Sequence, residues 1–164
     1  MMTGKLSQEF GKNATNTMDY LSDRSFEGAL AALELFYYGF NNQDAAIMKR
    51  VWYNSEFSQL NNPVGGIRRG TDAIMNVYDR IFNGQAQVWV NLTDIVYYEG
   101  EGMVVFAGTE TGEFSANGTT IPLRIRTTRF FAYLEEDESW YQVHHHGSID
   151  DAELLGRYQA VLNR

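Results

Sequence analysis

MVVFAGTETGEFSANGTTIPLRIRTTRFFAYLE, residues 103–135, decides the fold class. Two β-prone runs flank Asn117-Gly118, the dipeptide that most readily takes the positive backbone angles of a tight hairpin turn. The spacing predicts a strand over about 103–115 and a partner over about 119–135. Pro122 has no N–H to give to a ladder, so the partner is expected to begin at a sheet edge or a bulge. Period two along that partner puts Leu123, Ile125, Thr127, Arg129 and Phe131 on one face, opposite Arg124, Arg126 and Thr128.

Upstream, Ala86, Val88, Val90 and Leu92 alternate with Gln87, Trp89 and Asn91, a half-buried strand running irregularly toward Tyr98, with a turn at Glu99–Gly102. Downstream, the acidic Glu135–Glu138 reads as a solvated hairpin turn before a last strand from Trp140 to His146. Helical spacing comes earlier in the chain. Phe26, Leu30, Leu33, Phe36, Tyr37 and Phe40 share a face behind an N-cap at Ser25, and Asp44 caps a shorter helix carrying Ile47, Met48 and Val51. A short strand over 56–60 and a turn at Asn61–Gly66 lead to a third helix, capped by Thr71 and stopped by a left-handed Asn83-Gly84. A terminal helix with Leu154, Leu155, Tyr158, Val161 and Leu162 follows Ser148 and Asp151, which have capping-box spacing. The class is α+β, with residues 1–22 expected to be a flexible segment and 23–164 one domain.

Composition narrows the function. A net charge of −8, with 13 Lys and Arg scattered along the chain, offers no basic footprint for nucleic acid. The sequence has no Cys, which removes disulfides, thiolate metal sites and a cysteine nucleophile. No apolar run reaches the length of a membrane span and residues 1–22 lack a signal-peptide core, so no membrane partner and a cytoplasmic location are expected.

The order helix, helix, short strand, turn, helix, long strands, closing on Trp140-Tyr141-Gln142-Val143-His144-His145-His146-Gly147-Ser148, resembles the nuclear transport factor 2-like superfamily. The similarity is greatest to SnoaL-like proteins and to the association (hub) domain of calcium/calmodulin-dependent protein kinase type II, and extends from about Gly28 to Ser148. Asn41–Asp44, Arg69–Asp72 and Thr127–Arg129 match in order as well. The resemblance implies a cone-shaped, curved antiparallel sheet wrapped around the N-terminal helices, to which this chain adds a C-terminal helix. It implies an interior pocket but no single function, since isomerases, dehydratases, hydrolases, ligand binders and assembly domains share the scaffold.

Ketosteroid isomerase, in the same superfamily, needs a carboxylate base and an oxyanion donor. The matching positions here are Asn62, in Asn62-Pro63-Val64-Gly65, and Phe36, neither of which can do that work, although Tyr37 lies beside the second. Similarity to the hub turns Arg129 inward, where a buried guanidinium needs a partner or an anionic ligand. The hairpin register suggests Thr109, Thr111 and Glu113 as its interior neighbours, so an Arg129–Glu113 ion pair and a ligand anchor are both open readings. His144 and His146 share a strand face and could meet a ligand, yet no third ligand for a metal ion is evident and no cofactor is expected. The favoured reading is a small-molecule binding domain. Its alternatives are an isomerase, dehydratase or hydrolase using His146 with Glu113 and Arg129, and a pure oligomerisation module. A homo-oligomer, most simply a dimer, is expected from the apolar outward face at Phe130, Ala132 and Leu134.

Overall fold

The structure, a computed structural model, describes residues 1–162. Seven strands form one curved sheet in the order β1-β4-β5-β6-β7-β2-β3, in which only the β2–β7 pairing is parallel. They are β1 (Met2–Lys5), β2 (Gln59–Asn61), β3 (Ile67–Arg69), β4 (Gln87–Gly100), β5 (Met103–Ala116), β6 (Thr119–Leu134) and β7 (Ser139–Ser148). Helices α1 (Phe26–Asn41), α2 (Ala45–Val51) and α3 (Thr71–Asn83) fill the sheet's interior face, and α4 (Ala152–Leu162) follows β7. The core joins Phe36, Tyr37 and Phe40 of α1 to Phe106 of β5, Phe131 of β6 and Trp140 of β7.

Ser25 and Asp44 cap α1 and α2 through side-chain oxygens on the N–H of Glu27 and Ile47, as the sequence predicts. Three caps differ. Gly70, at φ 79°, occupies the N-cap of α3, while the Thr71 hydroxyl bonds the Tyr53 carbonyl. Gly84 ends that helix at φ −77°, without a left-handed turn. Asp151, rather than Ser148, receives the Leu154 N–H at the start of α4. Pro122 does sit where one edge is open: β7 pairs with β6 only from Arg126 onward, so the missing N–H breaks no ladder there.

Residues 1–22 are mostly exposed but meet the rest of the fold at several places. Met2–Lys5 pairs with β4, Phe10 bridges to Leu92, and the buried Leu21 gives its carbonyl to the N–H of Trp140. The stretch is polar overall, and those two apolar anchors are too far apart to show a period. No described helix is long and apolar enough to cross a membrane.

Two irregularities decide which side chains face inward. On β4 the register shifts between Thr93 and Val96, with Asp94 at φ 52°, so the buried series passes from Val88, Val90 and Leu92 to Ile95. On β7, Phe130 pairs with His144 but Phe131 with Gln142, leaving Val143 as an extra residue. That bulge carries the buried face from Trp140 and Gln142 to His145.

Candidate functional site

The closing pair of the β5–β6 hairpin is Ala116 with Thr119, so every directly opposed pair joins an even position on one strand to an odd one on the other. Arg129 is therefore opposite Phe106, and its face of the sheet carries Glu110 and Phe114, not Thr109, Thr111 and Glu113. The expected parity of β5 was inverted. Glu113 is exposed and takes a hydrogen bond from Trp89 Nε1 at 3.2 Å. Thr109 and Thr111 are half-buried, on the opposite face from Glu110.

The buried cation pairs instead with Glu110. Arg129 is 1% exposed, and its Nη2 lies 2.7 Å from Glu110 Oε1. Nη1 donates to Gln142 Oε1 at 2.9 Å and Nε to the Tyr37 hydroxyl at 3.0 Å, while that hydroxyl donates to Glu110 Oε1 at 2.6 Å. The guanidinium also lies 3.5 Å from the ring centre of Phe36, a cation–π contact. Burial pushes the Tyr37 phenol well above its ordinary pKa, so it stays a neutral donor at physiological pH. Four elements thus share one ion pair whose charges balance.

Beside this network is a cavity of about 310 Å³. Phe36 and Phe40 of α1, Tyr78 of α3, Val90 of β4, Phe114 of β5 and Leu123 of β6 give it mostly apolar walls, and Asn62, Glu110, Arg129 and His145 give it polar ones. Its exposed lining residues, Gly65, Arg68, Arg80 and Leu162, mark the mouth. Over the mouth lies α4, with Tyr158 edge-on to Phe114 at 4.8 Å and Gln159 Nε2 donating to the Val64 carbonyl at 3.0 Å.

His145 is the residue sequence reasoning missed. It is directly opposite Arg129, 5% exposed, and neither ring nitrogen has a hydrogen-bond partner in the protein. Burial, and then the charge of Arg129, hold its pKa well below the ordinary value, so the ring is neutral with one donor and one acceptor unused. His144 and His146 lie on the other face, their Nδ1 atoms 2.9 Å from the Gln59 carbonyl oxygen and 3.4 Å from Asn61 Nδ2. Among the described residues no three His, Asp or Glu side chains converge as a metal-ligand set.

The model of the SnoaL-like domain matches residues 29–152. The chain belongs to the SnoaL-like family. No curated protein matches it in sequence. Its fold is shared with a proposed dehydratase of the nuclear transport factor 2-like family from Streptomyces avermitilis, at 16% identity and TM-score 0.67, covering 74% of this chain and 94% of that one. A nuclear transport factor 2-like superfamily protein from Salmonella enterica aligns at 19% identity and TM-score 0.66, over 74% and 88% of the two chains. A proposed calcium/calmodulin-dependent protein kinase type II association domain from Thiobacillus denitrificans aligns at 20% and 0.57, over 73% and 92%.

Within this SnoaL-like site, Asn62 lines the cavity while its Oδ1 accepts the Val64 N–H and shapes the turn. Asn62→Asp keeps that acceptor and adds a carboxylate, yet it is expected to produce no isomerisation of an unsaturated ketosteroid, followed by absorbance. Phe36 cannot donate to a developing oxyanion, and the Tyr37 hydroxyl already donates to Glu110. Appearance of the conjugated ketone would contradict this.

The buried neutral His145 also predicts a pH effect. Below about pH 6.5 the unfolded chain protonates this ring while the folded one does not, so folded stability falls as pH falls, by at most about 1.4 kcal/mol per pH unit for one proton. Urea unfolding of the wild type and His145→Gln at about pH 7.5 and 5.5 is expected to show a smaller acid loss in the variant. Equal losses would place His145 in contact with solvent.

Proposed function

We propose that this protein binds a small, mostly apolar molecule in the cavity, with a neutral oxygen of that molecule against His145. One observation supports this above the others: a buried imidazole with both nitrogens unused lines an apolar cavity. A buried polar group without a partner costs about 1–3 kcal/mol, which a ligand hydroxyl or carbonyl at that position would offset. The charge balance of Arg129 and Glu110 argues against the small carboxylate anchor that Arg129 alone suggests. An assembly module with no ligand would be expected to fill this space with side chains.

The test is calorimetric titration with 1-naphthol, an apolar ring system bearing one hydroxyl. Binding is expected in the wild type and should weaken about tenfold or more in Leu123→Trp and in Val90→Phe, which fill the cavity from two sides. Absence of binding, or equal binding in the wild type and both variants, would remove the cavity as the site.

A proton-transfer enzyme is the second reading, and the neutral ring of His145 beside a fixed cation favours it. The residues concerned are His145, Glu110 and Arg129 in place of His146, Glu113 and Arg129. For any substrate that is turned over, His145→Gln is expected to abolish turnover and leave binding within about tenfold.

A dimer is also proposed, since Phe130, Ala132 and Leu134 remain only half-buried on the outer face of β6. Sedimentation at micromolar concentration is expected to give about twice 18.7 kDa. A single species at 18.7 kDa would exclude the dimer.

A further inference from the structure

The two cavity-lining arginines outside the ion-pair network have no assigned task. Arg68, the middle residue of β3, and Arg80, in the last turn of α3, both line the cavity and are both exposed. Neither makes an ion pair among the described residues. The protein carries eight net negative charges, so two unpaired cations converging on one opening run against its overall field. The walls of the same cavity are mostly apolar, Val77 and Ile81 of α3 and Leu123 and Ile125 of β6 among them, and His145 is part of the lining.

We infer that the ligand is an anionic amphiphile, its charged group held at the mouth by Arg68 and Arg80 and its apolar body reaching inward with a neutral oxygen toward His145. This rests on the cavity being the binding site. The reverse orientation is disfavoured by charge: an anion driven to the inner end would meet the Glu110 carboxylate, and the three guanidinium nitrogens of Arg129 already donate within the protein. At the mouth an anion keeps part of its hydration, and guanidinium groups match a carboxylate or phosphate with paired donors. The oxygen at the inner end is the group His145 requires.

The experiment compares 10-hydroxydecanoate with decane-1,10-diol by calorimetric titration. The two share the chain and the far hydroxyl and differ only in the charged end. The wild type is expected to prefer the acid by about tenfold or more, a preference that shrinks in about 1 M salt. Arg68→Gln/Arg80→Gln should abolish the preference by weakening the acid far more than the diol, and should leave the fold intact, since both side chains are exposed and outside the buried network. His145→Phe should weaken both compounds alike. Equal affinity of acid and diol in the wild type, or a preference surviving in the double arginine variant, overturns the inference and leaves the cavity reading standing. If neither compound binds, or if Leu123→Trp leaves both affinities unchanged, the cavity reading falls and the inference with it.

Discussion

Arg129→Met is expected to lower folded stability by about 3–5 kcal/mol, because it strands the Glu110 carboxylate in the interior without its cation. Methionine fills much of the arginine stem's volume, so the loss reports the charge more than a void. Glu110→Gln should cost a comparable amount for the converse reason. A cycle of the two single variants and the double variant, read from urea midpoints, should give strong coupling because the second change removes a charge already unpaired. Glu113→Gln should change stability by less than about 0.5 kcal/mol, since that side chain is exposed and bonded to the Trp89 ring. Coupling of Arg129 to Glu113 instead of Glu110 would refute the assignment of the pair.

The next largest effect is expected from Tyr37→Phe, at about 1–3 kcal/mol. Its hydroxyl donates to Glu110 and accepts from Arg129 Nε, so one deletion leaves the buried Nε without a partner and removes one of the two donors to Glu110 Oε1. The variant keeps the ring's packing between Phe10 and Phe36 and so isolates the hydrogen bonds. A midpoint unchanged from the wild type would mean that water reaches the network and takes the place of the lost hydroxyl.

Much of this arrangement was legible in the chain, and the misses have specific physical sources. Period two sorts the two faces of β6, and the resemblance to the hub domain is what turns the face of Arg129 inward. The inward face of β5 depends on which pair closes the turn, and a shift of one residue there exchanged Glu110 for Glu113. That is the general hazard of a period-two element: a slip of one moves every side chain to the other face. The last strand hid its bulge at Val143, where no Gly or Pro marks the extra residue, and so His145 replaced His144 and His146 on the inside. Asn62 reaches the cavity as the resemblance implies, but its amide oxygen is committed to the Val64 turn. In the N-terminal stretch the two buried apolar anchors, Phe10 and Leu21, stand alone in an otherwise polar segment, so no period marks them.

These misses concentrate at the site, where several strands must agree before one side chain can be placed. Local propensity sets each strand's own alternation, while the facing of Glu110 and His145 is set by how neighbouring strands are paired. The open cavity beside His145 is proposed to hold a small molecule. Native mass spectrometry tests it most directly, recorded on the protein as purified and again with 1-naphthol added, followed by the denatured mass. A non-covalent mass excess is expected on the native protein, vanishing on denaturation and reduced in Leu123→Trp; a native mass with no excess in either sample, or an equal excess in the variant, would show that the cavity holds no ligand.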